Sequence, residues 1–176
     1  MRKSGVRSRG FTLTEILVVL LIIAALAAIA YPIATSVLAR SRKAACLNNL
    51  RQIGVALEAY LQDHAQTMPN IAAGRKSKLE DTPVIETELA SYLSNPESFH
   101  CPADHESFAK SGSSYIWNST QSGRNRSRLE FFGKSGTDER IPLVTDKEDW
   151  HPGEPGTNFL YADLSASSKA KFDVNR

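Results

Sequence analysis

The 176-residue chain carries 21 Lys and Arg against 19 Asp and Glu, a formal charge of +2, and that total implies no basic nucleic-acid surface. The charge is unevenly placed, because Arg2, Lys3, Arg7 and Arg9 all precede the first acidic residue, Glu15. About 140 residues follow the N-terminal apolar segment, enough for one small domain with its own core and too few for two.

From Phe11 to Ala34, 24 residues contain one charge, Glu15, and Ile16 to Tyr31 is an unbroken apolar run. As a helix rising about 1.5 Å per residue, this segment crosses the roughly 30 Å hydrocarbon core of a bilayer. A carboxylate inside such a helix is costly at mid-span and less so near an end, so Glu15 calls for a partner. Gly10 offers no side chain and a permissive backbone, suited to extended presentation to a protease. A cut there leaves Phe11 as a free amine four residues before Glu15.

Arg9, Gly10, Phe11, Thr12, Leu13, Thr14 and Glu15, with the apolar run behind them, resemble the class III signal of type IV pilins and type II secretion pseudopilins. The resemblance implies that a prepilin peptidase, an aspartyl protease of the inner membrane, cuts between Gly10 and Phe11 and methylates the new amino terminus. It also implies that Glu15 of one subunit meets the Phe11 amine of its neighbour in a fibre, neutralising two charges that lipid disfavours. Pro32 resembles the proline that pilins carry where the spanning half of the helix softens. The partners so implied are other pilins or pseudopilins, the prepilin peptidase, an inner-membrane assembly platform and the membrane itself. Loss of the leader would remove four basic residues and no acidic one, leaving a mature charge of −2.

Other readings share the segment. It can serve as an uncleaved anchor for an extracytoplasmic binding domain that does not polymerise, or as an ordinary secretory signal cut after Ala28-Ile29-Ala30. Glu15 within the run and Pro32 just beyond that site argue against the secretory signal. In either orientation argument the basic leader stays inside, which places the remainder outside the cytoplasm, in the periplasm or at the cell surface.

Pro32 lacks a backbone donor and clashes with the preceding turn, so a kink or local break is expected near Tyr31 and Pro32. Beyond it Cys46, Leu50, Ile53, Leu57 and Tyr60 or Leu61 recur at steps of four, three, four and three or four, one apolar face of an amphipathic helix. The helix is predicted to end between His64 and Thr67, ahead of Met68-Pro69-Asn70. The stretch from Cys46 to Pro69 also resembles a subgroup of pilin-like proteins from bacteria with very many prepilin-signal genes. The expected segments are a cleaved leader at 1–10, a transmembrane half of the helix at 11–34, an amphipathic half at 35–67 and a globular domain at 68–176.

Residues 71–113 read as loop with one short helix over 83–93, stopped by Asn95-Pro96. Four short segments, 114–118, 140–145, 158–163 and 166–172, are β-branched or aromatic and bounded by turn residues, and read as strands. The predicted class is α+β, a long N-terminal membrane-plus-spine helix packed on a small antiparallel C-terminal sheet. Gln121 to Arg128 reads as a basic, flexible, solvated loop without interleaved aromatics, so no nucleic-acid partner is expected. His151-Pro152-Gly153 followed by Asn158 to Asp163 resembles the C-terminal pattern of the same pilin-like subgroup, where an Asp-Gly hairpin follows. Leu164 stands in place of that glycine and disfavours positive φ, which predicts a longer turn over Leu164 to Ser168.

Cys46 lies on the apolar stripe and Cys101 follows an aromatic segment. A bridge between them would pin the strand region to the spine helix in an oxidising compartment; two reduced core cysteines are the alternative. His100, Cys101, Asp104, His105, His151 and Asp163 can be drawn as a zinc site, but their spacings match no familiar zinc pattern. Major pseudopilins have a calcium site in the C-terminal loop, and Asp146, Glu148, Asp149 and Asp163 supply hard oxygen donors in the corresponding region, with Asp146, Asp149 and Asp163 as the candidate set. Calcium apart, no cofactor is expected. No phosphate loop, nucleophile elbow or nucleophile–base–orienter spacing emerges, so the expectation is a substrate of enzymes and not an enzyme.

Overall fold

A computed structural model describes residues 11–172. The leader at 1–10, including Gly10, lies outside the described residues. The chain divides into two compact units, Met1–Leu38 and Ala39–Arg176. Helix α1 (Leu13–Asp63) begins in the first and ends in the second.

Within the first unit α1 exposes its apolar side chains without interruption, from Ile16 at 48 % to Val37 at 60 % and Leu38 at 52 %. It is the helix long and apolar enough to cross a membrane. Contrary to the expected break, the chain stays helical through Tyr31 and Pro32. One proline forfeits a single backbone bond in a helix of 51 residues, and the turns on both sides carry that loss. Thr35 Oγ1 donates to Pro32 O at 3.0 Å.

In the second unit the stripe foreseen from its spacing, Cys46, Leu50, Ile53, Leu57 and Leu61, is fully buried. It packs into one core with residues of a four-stranded antiparallel sheet, among them Tyr115, Trp117, Leu143, Val144 and Leu160. The sheet comprises β1 (Tyr115–Trp117), β4 (Pro142–Asp146), β5 (Phe159–Tyr161) and β6 (Ala166–Ser167), in the order β1-β4-β5-β6. A separate hairpin, β2 (Glu130–Phe131) with β3 (Lys134–Ser135), lies between the first two strands in sequence. A register shift between Pro142 and Val144 breaks the inside-outside alternation of β4, and both Leu143 and Val144 are buried. Such a bulge bends a strand over its neighbour.

Three local expectations change. The helix foreseen over 83–93 is α2 (Ile85–Glu88) followed by a 3-10 turn at Ala90–Tyr92, although its apolar spacing holds and Val84, Ile85 and Leu89 are buried. The turn after β5 is shorter than predicted: Leu164 N donates to Tyr161 O at 2.8 Å and Tyr161 N to Ser165 O at 2.9 Å, with Leu164 at φ 65°. Leucine accepts that conformation because Asp163 Oδ1 takes hydrogen bonds from Ser165 N and Oγ, while the Leu164 side chain packs against the core. The basic loop at 121–128 is docked, not free. Its backbone serves the end of α1, where Ala65 and Gln66 turn through positive φ. Met68 N donates to Arg124 O, Arg126 N to Gln66 O, and Asn125 Nδ2 to Ala65 O, while Arg126 pairs with Glu58 at 2.7 Å. A helix terminus leaves carbonyls without intrahelical partners, and this loop helps to close the terminus over.

Buried Asp104 ties the segment after Cys101 together. Its Oδ1 accepts from Glu106 N and Ser107 N, and its Oδ2 from Phe108 N and Ser114 Oγ. These hold α3 (Ser107–Ser111) against the start of β1. Burial pushes the carboxyl up, but the Ser114 hydroxyl and the three N–H groups outweigh it and hold its pKa below the usual range. Asp104→Ala is expected to cost about 1–3 kcal/mol, since it strands buried donors. Because the folded value is the lower one, Asp104 contributes fully above the ordinary carboxylate range, and that contribution is lost as the pH falls through the folded value. Urea unfolding across an acid pH series should therefore show a flatter acid limb for Asp104→Asn than for the wild type.

Candidate functional site

Two places carry the chemistry, one in each unit. At the head of α1, Thr12 and Glu15 form a reciprocal cap. Glu15 Oε2 accepts from Thr12 N and from Thr12 Oγ1, both at 2.8 Å, and Glu15 N donates to Thr12 Oγ1 at 3.2 Å. A Thr-x-x-Glu spacing is the signature of a capping box, which satisfies donors that a helix start leaves open. Thr12 is a functional residue beyond those expected from the sequence, and the signature that marks it is Thr12-Leu13-Thr14-Glu15. Glu15 thus sits at the first turn, near the end of the apolar run, where a carboxylate also complements the positive end of the helix dipole. Phe11 precedes the helix and is 83 % exposed. Among the described residues no cation pairs with Glu15. Pro32 lies 17 residues further along the same helix.

Residues 6–31 match a family model described as the prokaryotic N-terminal methylation motif. The chain carries a prepilin-type N-terminal signal. The match spans both Gly10 and Phe11 and extends to Tyr31, so the motif and the spanning segment coincide. No curated protein and no solved structure matches the chain. The architecture of the prepilin-type chain, a long apolar N-terminal helix and a small antiparallel sheet, is α+β and pilin-like.

The second place is buried in the soluble unit. Cys46 of α1 and Cys101 are joined by a disulfide across 55 residues of sequence. Cys101 N donates a hydrogen bond to Ser114 Oγ, the same hydroxyl that donates to Asp104. His151 abuts the bridge: its Nε2 lies 3.5 Å from Cys101 Sγ and 3.2 Å from Asp146 Oδ2, with the His151 and Asp146 side chains fully buried. Asp146 Oδ2 also accepts from Asn158 N at 2.7 Å and Asn158 Nδ2 at 3.0 Å. The loop carrying His151 closes on itself through His151 N to Gly156 O. His151 and Asn158 of the His-Pro-Gly segment therefore serve an internal site beside the bridge.

The residues drawn on paper as a zinc site do not come together as a set. His100 stacks on Phe108 and lies 3.3 Å from Glu97, Asp104 is committed to its four donors, and His105 is exposed. Among the described residues, the cluster of three metal-ligand types within 4.8 Å is Cys46, Cys101 and His151. Asp146, Asp149 and Asp163 form no such group: Asp146 is buried with His151, Asp149 lies against Gly156, and Asp163 turns its Oδ1 to Ser165. On the chain-entropy argument a bridge closing about 55 residues stabilises by about 4 kcal/mol. Replacing both cysteines by serine should lower unfolding stability by that order in metal-free buffer, measured by denaturant titration; a loss below about 1 kcal/mol would mean that packing alone holds the sheet to α1.

Proposed function

We propose that the chain is a structural subunit, a pilin or pseudopilin of a type IV pilus or a type II secretion pseudopilus. A prepilin peptidase cuts between Gly10 and Phe11 and methylates Phe11, and the mature chain joins a helical fibre through α1. The observation that carries this reading is Glu15: a carboxylate in the apolar, exposed first part of α1, whose only described partner is its own Thr12. A neighbouring subunit's Phe11 amine supplies the missing positive charge, and repetition of one heterologous contact generates an open helical assembly. The exposed apolar surface from Ile16 to Leu38 first holds the precursor in the inner membrane and then packs against like helices. The disulfide suits an extracytoplasmic location for the soluble unit, and the basic leader suits a cytoplasmic start. In this reading the chain is a peptidase substrate with no catalysis of its own.

The capping box gives Glu15 a second, local task, and the two tasks can be separated. Glutamine also completes a capping box, so Glu15→Gln should keep the helix start and membrane insertion but lose the charge pair. Removing one partner of a buried pair costs about 3–5 kcal/mol, so fibre incorporation should fall by roughly a hundredfold or more. Glu15→Gln incorporation at the wild-type level would refute charge pairing and favour a membrane-anchored domain that does not polymerise. Intact mass and N-terminal sequencing of the chain from native membranes should give a methylated Phe11 start; a start at Met1 or Tyr31 would retire the assembly reading.

A further inference from the structure

We propose that the Cys46–Cys101 bridge is the oxidised form of a zinc site, whose protein ligands in the dithiol form are Cys46, Cys101 and His151, with a water in the fourth position. The two sulfurs and the imidazole nitrogen already lie within 4.8 Å of one another, all three residues buried. With zinc bonds of about 2.3 Å to sulfur and about 2.0 Å to nitrogen, a tetrahedral sulfur-to-nitrogen edge is about 3.5 Å. The observed separation from Cys101 Sγ to His151 Nε2 is 3.5 Å. The edge that must change is the one between the sulfurs, from bonding distance to about 3.8 Å. Two thiols must separate by about that much in any case once their bond is broken.

The surroundings fit a cation. Asp146 Oδ1 and His151 Nδ1 are buried with no hydrogen-bond partner, and so is Asn158 Oδ1. Buried polar atoms without partners are costly, and a cation held beside the Asp146 carboxylate offsets the burial of its charge. Asn158 already orients that carboxylate through two hydrogen bonds, and Ser114 Oγ holds the backbone at Cys101. Such outer contacts fix ligand direction in metal sites. Two thiolates and an imidazole favour zinc over calcium or magnesium, which take oxygen donors.

The chemistry balances. An external dithiol gives the bridge two electrons and two protons and becomes a disulfide, leaving Cys46 and Cys101 as thiols. Zinc then displaces the two thiol protons and binds the thiolates. Every chain with this bridge passes through the dithiol stage before the bridge forms, and at that stage zinc holds α1, the Cys101 segment and the His151 loop in register. Oxidation by a disulfide donor takes the two electrons back, joins the sulfurs and releases the ion.

The test uses the full-length chain in detergent micelles, as isolated or reduced with a dithiol that is then removed without air, titrated with cobalt(II) and with zinc. The reduced chain should bind one ion, with thiolate-to-cobalt charge transfer and intense tetrahedral visible bands, and zinc should raise its Tm; the bridged chain should do neither. His151→Ala should weaken binding by at least about tenfold, a bound taken from what loss of an outer-shell partner costs, whereas exposed His105→Ala should change nothing. The double serine variant at Cys46 and Cys101 should show no charge transfer. Failure of the reduced chain to bind, equal binding by the bridged chain, or equal binding by His151→Ala would each overturn the proposal. A reduced chain that stays unfolded with zinc would do so too.

Discussion

Burial of one stripe of α1 under the sheet is the contact on which the soluble unit depends. Cys46, Leu50, Ile53, Leu57 and Leu61 are inaccessible to solvent, and they share one core with residues of β1, β4 and β5. Apolar area removed from water is the main favourable contribution to a fold of this size. The strands are only two to five residues long, too short to be stable without a hydrophobic face to cover.

The disulfide stands at one end of that stripe and converts a contact into a covalent tie. Gly54 marks its middle, where a Cβ would meet Leu160 Cδ1 at 3.0 Å, so the helix and β5 approach closely because no side chain intervenes. At the far end the 121–128 loop folds over the last turn, and Arg126 answers Glu58. The stripe is thus held at its start by a bond, in its middle by close packing and at its end by hydrogen bonds.

The N-terminal unit follows the opposite rule. Among the described residues nothing covers its apolar side chains, which in water would be untenable and in a bilayer or a bundle of like helices is the natural state. One helix therefore serves two solvents. Its first part is apolar on all sides, and its second part is apolar on one face, the difference between a membrane span and an amphipathic helix. Glu15 is the exception in the first part, and its carboxylate takes two hydrogen bonds from Thr12.

Much of this was legible from residues alone, because it rests on periodicity and composition. The spanning run, the Gly10-Phe11 junction, the stripe from Cys46 to Leu61 and the presence of four short strands are local patterns, and local patterns survive in a linear string. The capping box of Thr12 and Glu15 is equally local. What the string could not convey was convergence. His151 is 50 residues from Cys101, and Asp146 is 45, so their meeting depends on how β1, β4 and β5 pair and on where the 151–156 loop closes. The short turn at Leu164 and the docking of the basic loop were likewise decided by tertiary structure. In each case packing or a distant hydrogen bond outweighed a residue's intrinsic preference, and such interactions have no fixed spacing in sequence.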